Sequence, residues 1–533
     1  MSFGTSFAVT TRPTIMGRSA AVVAGHQLAA QAGLRMLNAG GNAIDAAIAI
    51  AAAAAVLKPD ACGLGSDLFL LFAKADTSEV FALNASGPAP RLATRDAFPS
   101  GTIEHLGLRA ASVPGAVDGW YRAVTRFGRL PFADVIAPAV ELAKGAPVSA
   151  LFASTLAKNE DVLRRFPTTY QAYYPNGRAP RAGEVLVQSD LARTLEAIAR
   201  EGPQSFYRGA FAAALDRYAR ETGGLLRAED MAAYEAEWRE PLRSTYRGYE
   251  LIGQPPVSVG VTVLETMQIL EQFPISTLAD ASAERIHLQV EAMKIAMADV
   301  RAHLGDPAFV SERAIADLLD RKCAAARAAQ IDPARAHTYD SAKVFAQAGT
   351  DTSYAAAVDA DGNAVSLLQS VYHIFGSGEM IPGTGTLMNN RMTGFSLDPA
   401  SPNVLEPGKR TMHTLNPMLV CKDGRVMMCL GTPGGPSQTY TNMELLTRVI
   451  DDGLELQRAI DAPRWFVTPG GELNVERSVS ADVRAALAAR GHRVVEFPAQ
   501  SASFGGAGII RINAENVREA AADPRRETYA LAC

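Results

Sequence analysis

Residues 349–378 constrain the fold more than any other stretch of the chain, because they write out a β-hairpin in full. Residues 354–358 read as a short apolar strand, Asp359-Ala360-Asp361-Gly362 as a turn, and residues 363–368 as the return strand. The closing Asp-Gly supplies a residue that tolerates the left-handed backbone of a tight turn. Directly before the first strand stands a hydroxyl residue, Thr352. Were the Asp351–Thr352 bond cut, Thr352 would head a new chain. Its hydroxyl would then sit beside its own free amine, a nucleophile with a built-in base. A Thr before a strand is ordinary by itself, so the rest of the chain has to decide.

The first half reads as mostly helical. Residues 27–38 carry apolar side chains at helical spacing, and residues 43–57 are nearly all apolar, too short for a membrane span and suited to a buried helix. Further helices are expected at 131–144, 188–201, 210–221, 228–234, 261–271 and 283–303, with strands at 68–73 and 80–84. Glu291 and Lys294, three apart on one of these helices, read as a solvated face. Residues 333–350 are polar and irregular, an exposed linker leading to the candidate cleavage bond. After Thr352 the pattern turns to sheet at 383–395, 417–430 and 505–512, with helices at 439–451, 456–461 and 480–490.

Composition narrows the class. Of 533 residues, 48% are hydrophobic and 20% charged, as in soluble globular proteins. A formal net charge of −5 gives no reason to expect nucleic acid or a membrane as partner. The five cysteines are odd in number and scattered, and the N-terminus lacks a charged segment followed by a long apolar one. Both features favour a cytoplasmic, reducing setting. The eight histidines form no i, i+4 pair, and Gly63-Leu64-Gly65 lacks the third glycine of a dinucleotide loop, so no metal or cofactor is expected.

Blocks along the whole chain resemble the γ-glutamyltranspeptidase family, N-terminal nucleophile hydrolases that cleave themselves. They are Gly40-Gly41-Asn42-Ala43-Ile44-Asp45-Ala46-Ala47, Cys62-Gly63-Leu64-Gly65-Ser66-Asp67-Leu68-Phe69, Ser112-Val113-Pro114-Gly115-Ala116-Val117 and Gln254-Pro255-Pro256-Val257-Ser258-Val259-Gly260. Beyond the hairpin follow Gly408-Lys409-Arg410, Gly431-Thr432-Pro433-Gly434-Gly435, Asp461-Ala462-Pro463-Arg464-Trp465 and Asp523-Pro524-Arg525-Arg526. Each is weak alone; their order is what identifies the family. The resemblance implies an α+β fold, the four-layer αββα sandwich. It also implies a cut that leaves residues 1–351 as a large fragment and 352–533 as a small one, the two folding as one unit.

Within that resemblance, Val358-Asp359-Ala360-Asp361-Gly362-Asn363-Ala364-Val365 sets the register and places the nucleophile on Thr352, with Ser353 as the alternative. Gly434 and Gly435 match the family's oxyanion pair, and Ser370 falls where relatives carry a Thr that contacts the nucleophile. The departures bear on substrate. Ser86 stands where an Arg binds the glutamyl α-carboxylate, and Gly394 where an Asp binds the α-ammonium. Tyr372 replaces an Asn of the same pocket, and His413 and Thr414 replace two serines. Arg391 stands where relatives carry Gln and could take a carboxylate in two parallel hydrogen bonds. His373 adds to the same lining, and either residue could instead be structural.

The leading expectation is an amidohydrolase for a small carboxylate-bearing, oxamate-like amide. The alternatives are a γ-glutamyl transferase or hydrolase, an acylase for bulkier acyl amides, and an uncleaved, inactive homologue. The expected partners are the small-molecule substrate and the two fragments themselves, with a homodimer of the processed protomer left open.

Overall fold

The computed structural model describes residues 10–339 and 351–533, so most of the expected linker at 333–350 lies outside the described residues. Two seven-stranded antiparallel sheets are stacked face to face. One runs, edge to edge, through Tyr529–Ala532, Ala21–Ala24, Asp351–Val358, Ala364–Tyr372, Asp67–Ala73, Val80–Ala85 and Glu237–Arg239. The other runs through Ile15–Gly17, Arg518–Ala522, Gly508–Ile512, Arg425–Gly431, Met418–Lys422, Tyr249–Gly253 and Leu242–Tyr246. Each sheet interleaves strands that precede residue 351 with strands that follow it.

Three apolar cores separate four layers. Gln27–Asn38 and Ala43–Leu57 cover the first sheet through Leu68, Leu70, Ala355 and Val365. Gly260–Leu270, Ala283–His303 and Ser437–Ile450 cover the second through Met418, Val420 and Leu430. Between the sheets lie Tyr354, Leu368 and Phe69 against Leu419, Cys429 and Ile510. The fold is therefore the αββα sandwich of the N-terminal nucleophile hydrolases.

The hairpin sits at the centre of the first sheet because both its faces are apolar, so it can be buried from both sides. Asp359 fixes its turn, accepting the N–H groups of Asp361 and Asn363 at 3.0 Å each and the Asn363 amide at 2.8 Å. The helix Ala43–Leu57 starts with a reciprocal cap: Asn42 Oδ1 accepts the Ile44 N–H at 3.0 Å, and Asp45 Oδ2 accepts the Asn42 N–H at 2.9 Å. All its residues are buried, which its alanines allow by admitting close neighbours on every side.

Two expectations fail here. The segment expected as strand at 383–395 is strand only at Thr386–Leu387, followed by a 3-10 turn, Arg391–Gly394. Asn389 explains the break: its Oδ1 accepts the Arg391 N–H at 3.0 Å, so a side chain takes the place of a ladder partner. Glu291 is fully buried and not on a solvated face, receiving Lys294 Nζ at 2.6 Å and the His337 N–H at 3.0 Å.

Candidate active site

Side-chain alternation sorts the residues around Thr352. Tyr354, Ala356 and Val358 face the second sheet, whereas Ala355 and Ala357 face the helices. Thr352 shares the inter-sheet face with Tyr354 by the same period. Ser353 lies on the helix side, its Oγ 3.2 Å from where a Cβ on Gly25 would stand, beside the Lys58 stem. The two candidate nucleophiles thus point to opposite faces of the sheet.

A bulge sets what stands opposite Thr352. Ser353 pairs with Gln369 but Asp351 pairs with Tyr372, so the return strand carries one extra residue at Ser370–Val371. Tyr372 takes up the distortion at φ 86°, and Ser370 Oγ steadies it by accepting the Tyr372 N–H at 2.8 Å. On its other side Ser370 pairs with Asp67. Thr352, Ser370 and Asp67 therefore form a row across three adjacent strands, all on the inter-sheet face.

The glycine loop leaves the second sheet against Tyr354, two residues from Thr352. Ser366 Oγ, on the same face, donates to the Leu430 carbonyl at 3.0 Å and lies 3.1 Å from the Tyr354 hydroxyl. Gly431 lies so close to the Tyr354 ring that a Cβ would stand 2.3 Å from it. Thr432-Pro433-Gly434-Gly435 then turn into the helix Ser437–Ile450. Gly434 has φ 131° and Gly435 φ 56°, and a Cβ on Gly434 would meet Ser437 Oγ at 2.5 Å. Among the described residues, no backbone hydrogen bond uses the N–H of either glycine. Two free donors at a helix N-terminus suit a developing oxyanion.

At the far end of the row is a sealed charge cluster that the sequence only half disclosed. Asp67, Arg391 and His413 are all 0% exposed. Asp67 Oδ1 accepts the Gly87 N–H at 2.9 Å, while its Oδ2 accepts Arg391 Nε at 2.8 Å and lies 3.2 Å from His413 Nε2. The guanidinium also stacks over the Tyr372 ring, 4.0 Å from its centroid. Arg391 Nη1 and Nη2 are buried without a hydrogen-bond partner among the described residues. Burial alone would raise the Asp67 pKa, but the His413 hydrogen bond and the Arg391 charge outweigh it and hold the carboxyl below its usual range. Burial, then the Arg391 charge, lower His413 to about 4.

The remaining candidates surround this cluster. Gly394 leaves room for Tyr372: a Cβ there would stand 3.5 Å from the Tyr372 hydroxyl and 3.0 Å from Thr411 Oγ1. Thr414 is buried beside His413, its carbonyl held by Asn416 Nδ2 at 2.7 Å. His373 packs edge-on to Tyr372 and to His105, with ring centroids 4.7 Å and 4.6 Å away. Its pKa falls to about 4 through burial, then His105 and Arg391, and its Nε2 is buried without a partner among the described residues. Asp67 is the residue that sequence reasoning missed. The available signal was an acid inside Gly63-Leu64-Gly65-Ser66-Asp67, just before an apolar strand.

Away from this region, the fold brings together histidines that have no ligand spacing in the sequence. Ligand atoms of His287, Glu291 and His492 lie within 4.8 Å of one another. They are already engaged: His287 Nδ1 is 2.8 Å from His492 Nε2, and His287 Nε2 is 2.8 Å from the Asp332 carbonyl.

Comparison with known proteins agrees with this geometry. A family model described as Gamma-glutamyltranspeptidase matches residues 29–533. The chain is 38% identical over 530 residues to the glutathione hydrolase-like YwrD proenzyme of Bacillus subtilis (strain 168), covering 97% of this chain and 99% of that protein. It is 36% identical over 518 residues to the oxamate amidohydrolase proenzyme of Klebsiella pneumoniae subsp. pneumoniae, covering 94% and 96%. The solved structure of cephalosporin acylase from Bacillus halodurans superposes with a TM-score of 0.93 at 35% identity, covering 100% of this chain and 99% of that one. With the αββα layers already in place, the chain belongs to the γ-glutamyltranspeptidase family of N-terminal nucleophile hydrolases.

Proposed function

We propose that the protein is a self-processing amidohydrolase that cleaves a small carboxylate-bearing amide, oxamate-like in size and charge, through an acyl-enzyme on Thr352. In the precursor the Thr352 hydroxyl attacks the Asp351 carbonyl, the acyl group shifts from nitrogen to oxygen, and water hydrolyses the ester. This leaves residues 1–351 and 352–533 as fragments of one folded unit, with a free α-amine on Thr352. In turnover the same hydroxyl attacks the substrate carbonyl while the α-amine takes its proton and returns it to the leaving amine. The N–H groups of Gly434 and Gly435 hold the oxyanion. Water then releases the acid. Ser370, between Thr352 and Asp67, keeps the bulge in shape through its bond to the Tyr372 N–H.

One observation carries the substrate class: Arg391 bonds through Nε, and its Nη1 and Nη2 are buried without a hydrogen-bond partner among the described residues. Two parallel donors in a dry site match a carboxylate. Tyr372 stacks on the guanidinium and His413 shares Asp67 Oδ2 with it, while Thr414 and His373 complete the polar wall. Thr352 and Asp67 stand two strands apart, about 10 Å at the usual strand spacing, so a molecule bridging the two ends has a short acyl part. A γ-glutamyl substrate would add an α-ammonium that needs an acid. Asp67 already accepts from Gly87, Arg391 and His413, and Gly394 brings no side chain.

The test pairs two measurements. Intact mass of purified protein is expected to show fragments split between Asp351 and Thr352. The processed protein is then expected to release ammonia from oxamate and to leave γ-glutamyl-p-nitroanilide nearly untouched. An uncut chain, or preference for the γ-glutamyl compound, overturns the reading.

A further inference from the structure

The Asp67–Arg391–His413 cluster has a charge balance that a substrate carboxylate would upset. Empty, it holds one carboxylate, one guanidinium and one neutral imidazole, all 0% exposed. The imidazole tautomer follows from its partners. His413 Nε2 faces the Asp67 carboxylate, which only accepts, so Nε2–H donates to Oδ2 and Nδ1 keeps the lone pair, with the Leu415 N–H no nearer than 3.4 Å. A second carboxylate on Arg391 Nη1 and Nη2 would leave two acids sharing one cation away from water, a net buried charge that is costly unless compensated.

We propose that carboxylate binding at Arg391 is proton-linked: a carboxylate that seats on Nη1 and Nη2 is accompanied by one solvent proton, which His413 accepts at Nδ1. The inference rests on the reading of Arg391 as the carboxylate site. His413 is the group placed to accept the proton. Its Nε2–H already bonds to an acid, and the 3.4 Å contact at Nδ1 is too long to hold that lone pair firmly. Among the described residues, the charged groups facing it are Asp67, from the strand Asp67–Ala73, and Arg391, from the turn Arg391–Gly394. Phe69 meets it edge-on at 4.7 Å, and the Val257 carbonyl and the Val259 N–H bond to its backbone. The rival acceptor is His373, which burial, then His105 and the same guanidinium, depress.

The sign follows from these neighbours. Burial, then the Arg391 charge, lower the His413 pKa to about 4. A carboxylate on Arg391 offsets the second of these causes and adds a negative charge, so the bound form holds its proton to higher pH. Affinity is then greatest below about 4 and weakens as pH rises, by up to about tenfold per unit, until the bound form itself titrates.

The experiment uses the processed protein and propionate, a monocarboxylate without an amide to cleave. Calorimetric titration at pH 6 in buffers of different ionisation heat reads the protons taken up per propionate bound. Expected are an uptake of more than about half a proton and a dissociation constant that rises with pH. Uptake is expected to vanish in His413→Gln, whose amide can still donate to Asp67, and to persist in His373→Gln. In Asp67→Asn the guanidinium and the carboxylate balance each other, so binding is expected without uptake and independent of pH; this variant carries the test if His413→Gln fails to fold. Propionate binding by wild type without proton uptake, or uptake that survives in either His413→Gln or Asp67→Asn, overturns the inference. Failure of wild type to bind propionate, or equal binding by Arg391→Ala, overturns the Arg391 reading beneath it.

Discussion

The Asp359 carboxylate accepts the Ala43 backbone N–H at 3.0 Å, joining the turn of the central hairpin to the first residue of the buried helix. The same carboxylate holds the N–H groups of Asp361 and Asn363. Asp359→Ala would leave these donors unsatisfied in a closed site. The expected loss of stability is about 2–4 kcal/mol, read from the midpoint of urea unfolding. Asp359→Asn is expected to recover part of it, because one acceptor oxygen remains.

Thr352→Ala is expected to abolish self-cleavage and turnover together, since both steps use one hydroxyl. Ser353→Ala, altered on the helix face of the strand, is expected to cut and turn over. Intact mass and ammonia release from oxamate check both variants, and a clean cut in Thr352→Ala would remove Thr352 from the mechanism.

Gly434→Ala combines two penalties, a φ of 131° that L residues rarely adopt and a Cβ 2.5 Å from Ser437 Oγ. The loop must shift, and with it the N–H groups of Gly434 and Gly435. The expected cost is about 10²–10³ in kcat, the usual effect of losing an oxyanion donor, with KM changed far less. A loss confined to KM would reassign the loop to binding.

Glu444 offers a check on pH. It is buried beside Arg448 and accepts the Trp465 N–H at 3.1 Å, yet burial pushes its pKa up to about 7 against the pull of Arg448 and Arg464. A folded-state value above the unfolded one means that the native protein holds an extra proton between about 4.5 and 7. This contribution to stability is full at low pH and declines as pH rises through that window. In Glu444→Gln the contribution is absent, so unfolding midpoints measured from pH 5 to 7 are expected to show a flatter slope.

What the sequence disclosed depended on how local each signal was. The hairpin was legible because Asp359 and Asn363 bond within the turn that they define. The helix Ala43–Leu57 was legible because its cap and its apolar run are continuous. The segment 383–395 was misread because Asn389 breaks it by reaching Ser112, 277 residues away, as well as its neighbour Arg391. Glu291 was misread because the same i, i+3 spacing serves an exposed pair and a buried one. Asp67 was legible only as an acid in a glycine turn, since its partners Arg391 and His413 come from segments more than 300 residues on. Arg464 and Asp523, quoted above only as parts of family blocks, meet in a buried ion pair at 2.6 Å.

Because both sheets combine strands from either side of residue 351, the proposed cut would not create two bodies that could part and meet again. Separating the fragments would mean pulling neighbouring strands out of each sheet and exposing the core between them. Assembly therefore has to be completed while the polypeptide is still continuous. The broken bond then serves as a one-way timestamp: mature protein, once fully denatured, is expected to refold far less readily than the precursor, whose ends at the scissile bond remain tethered.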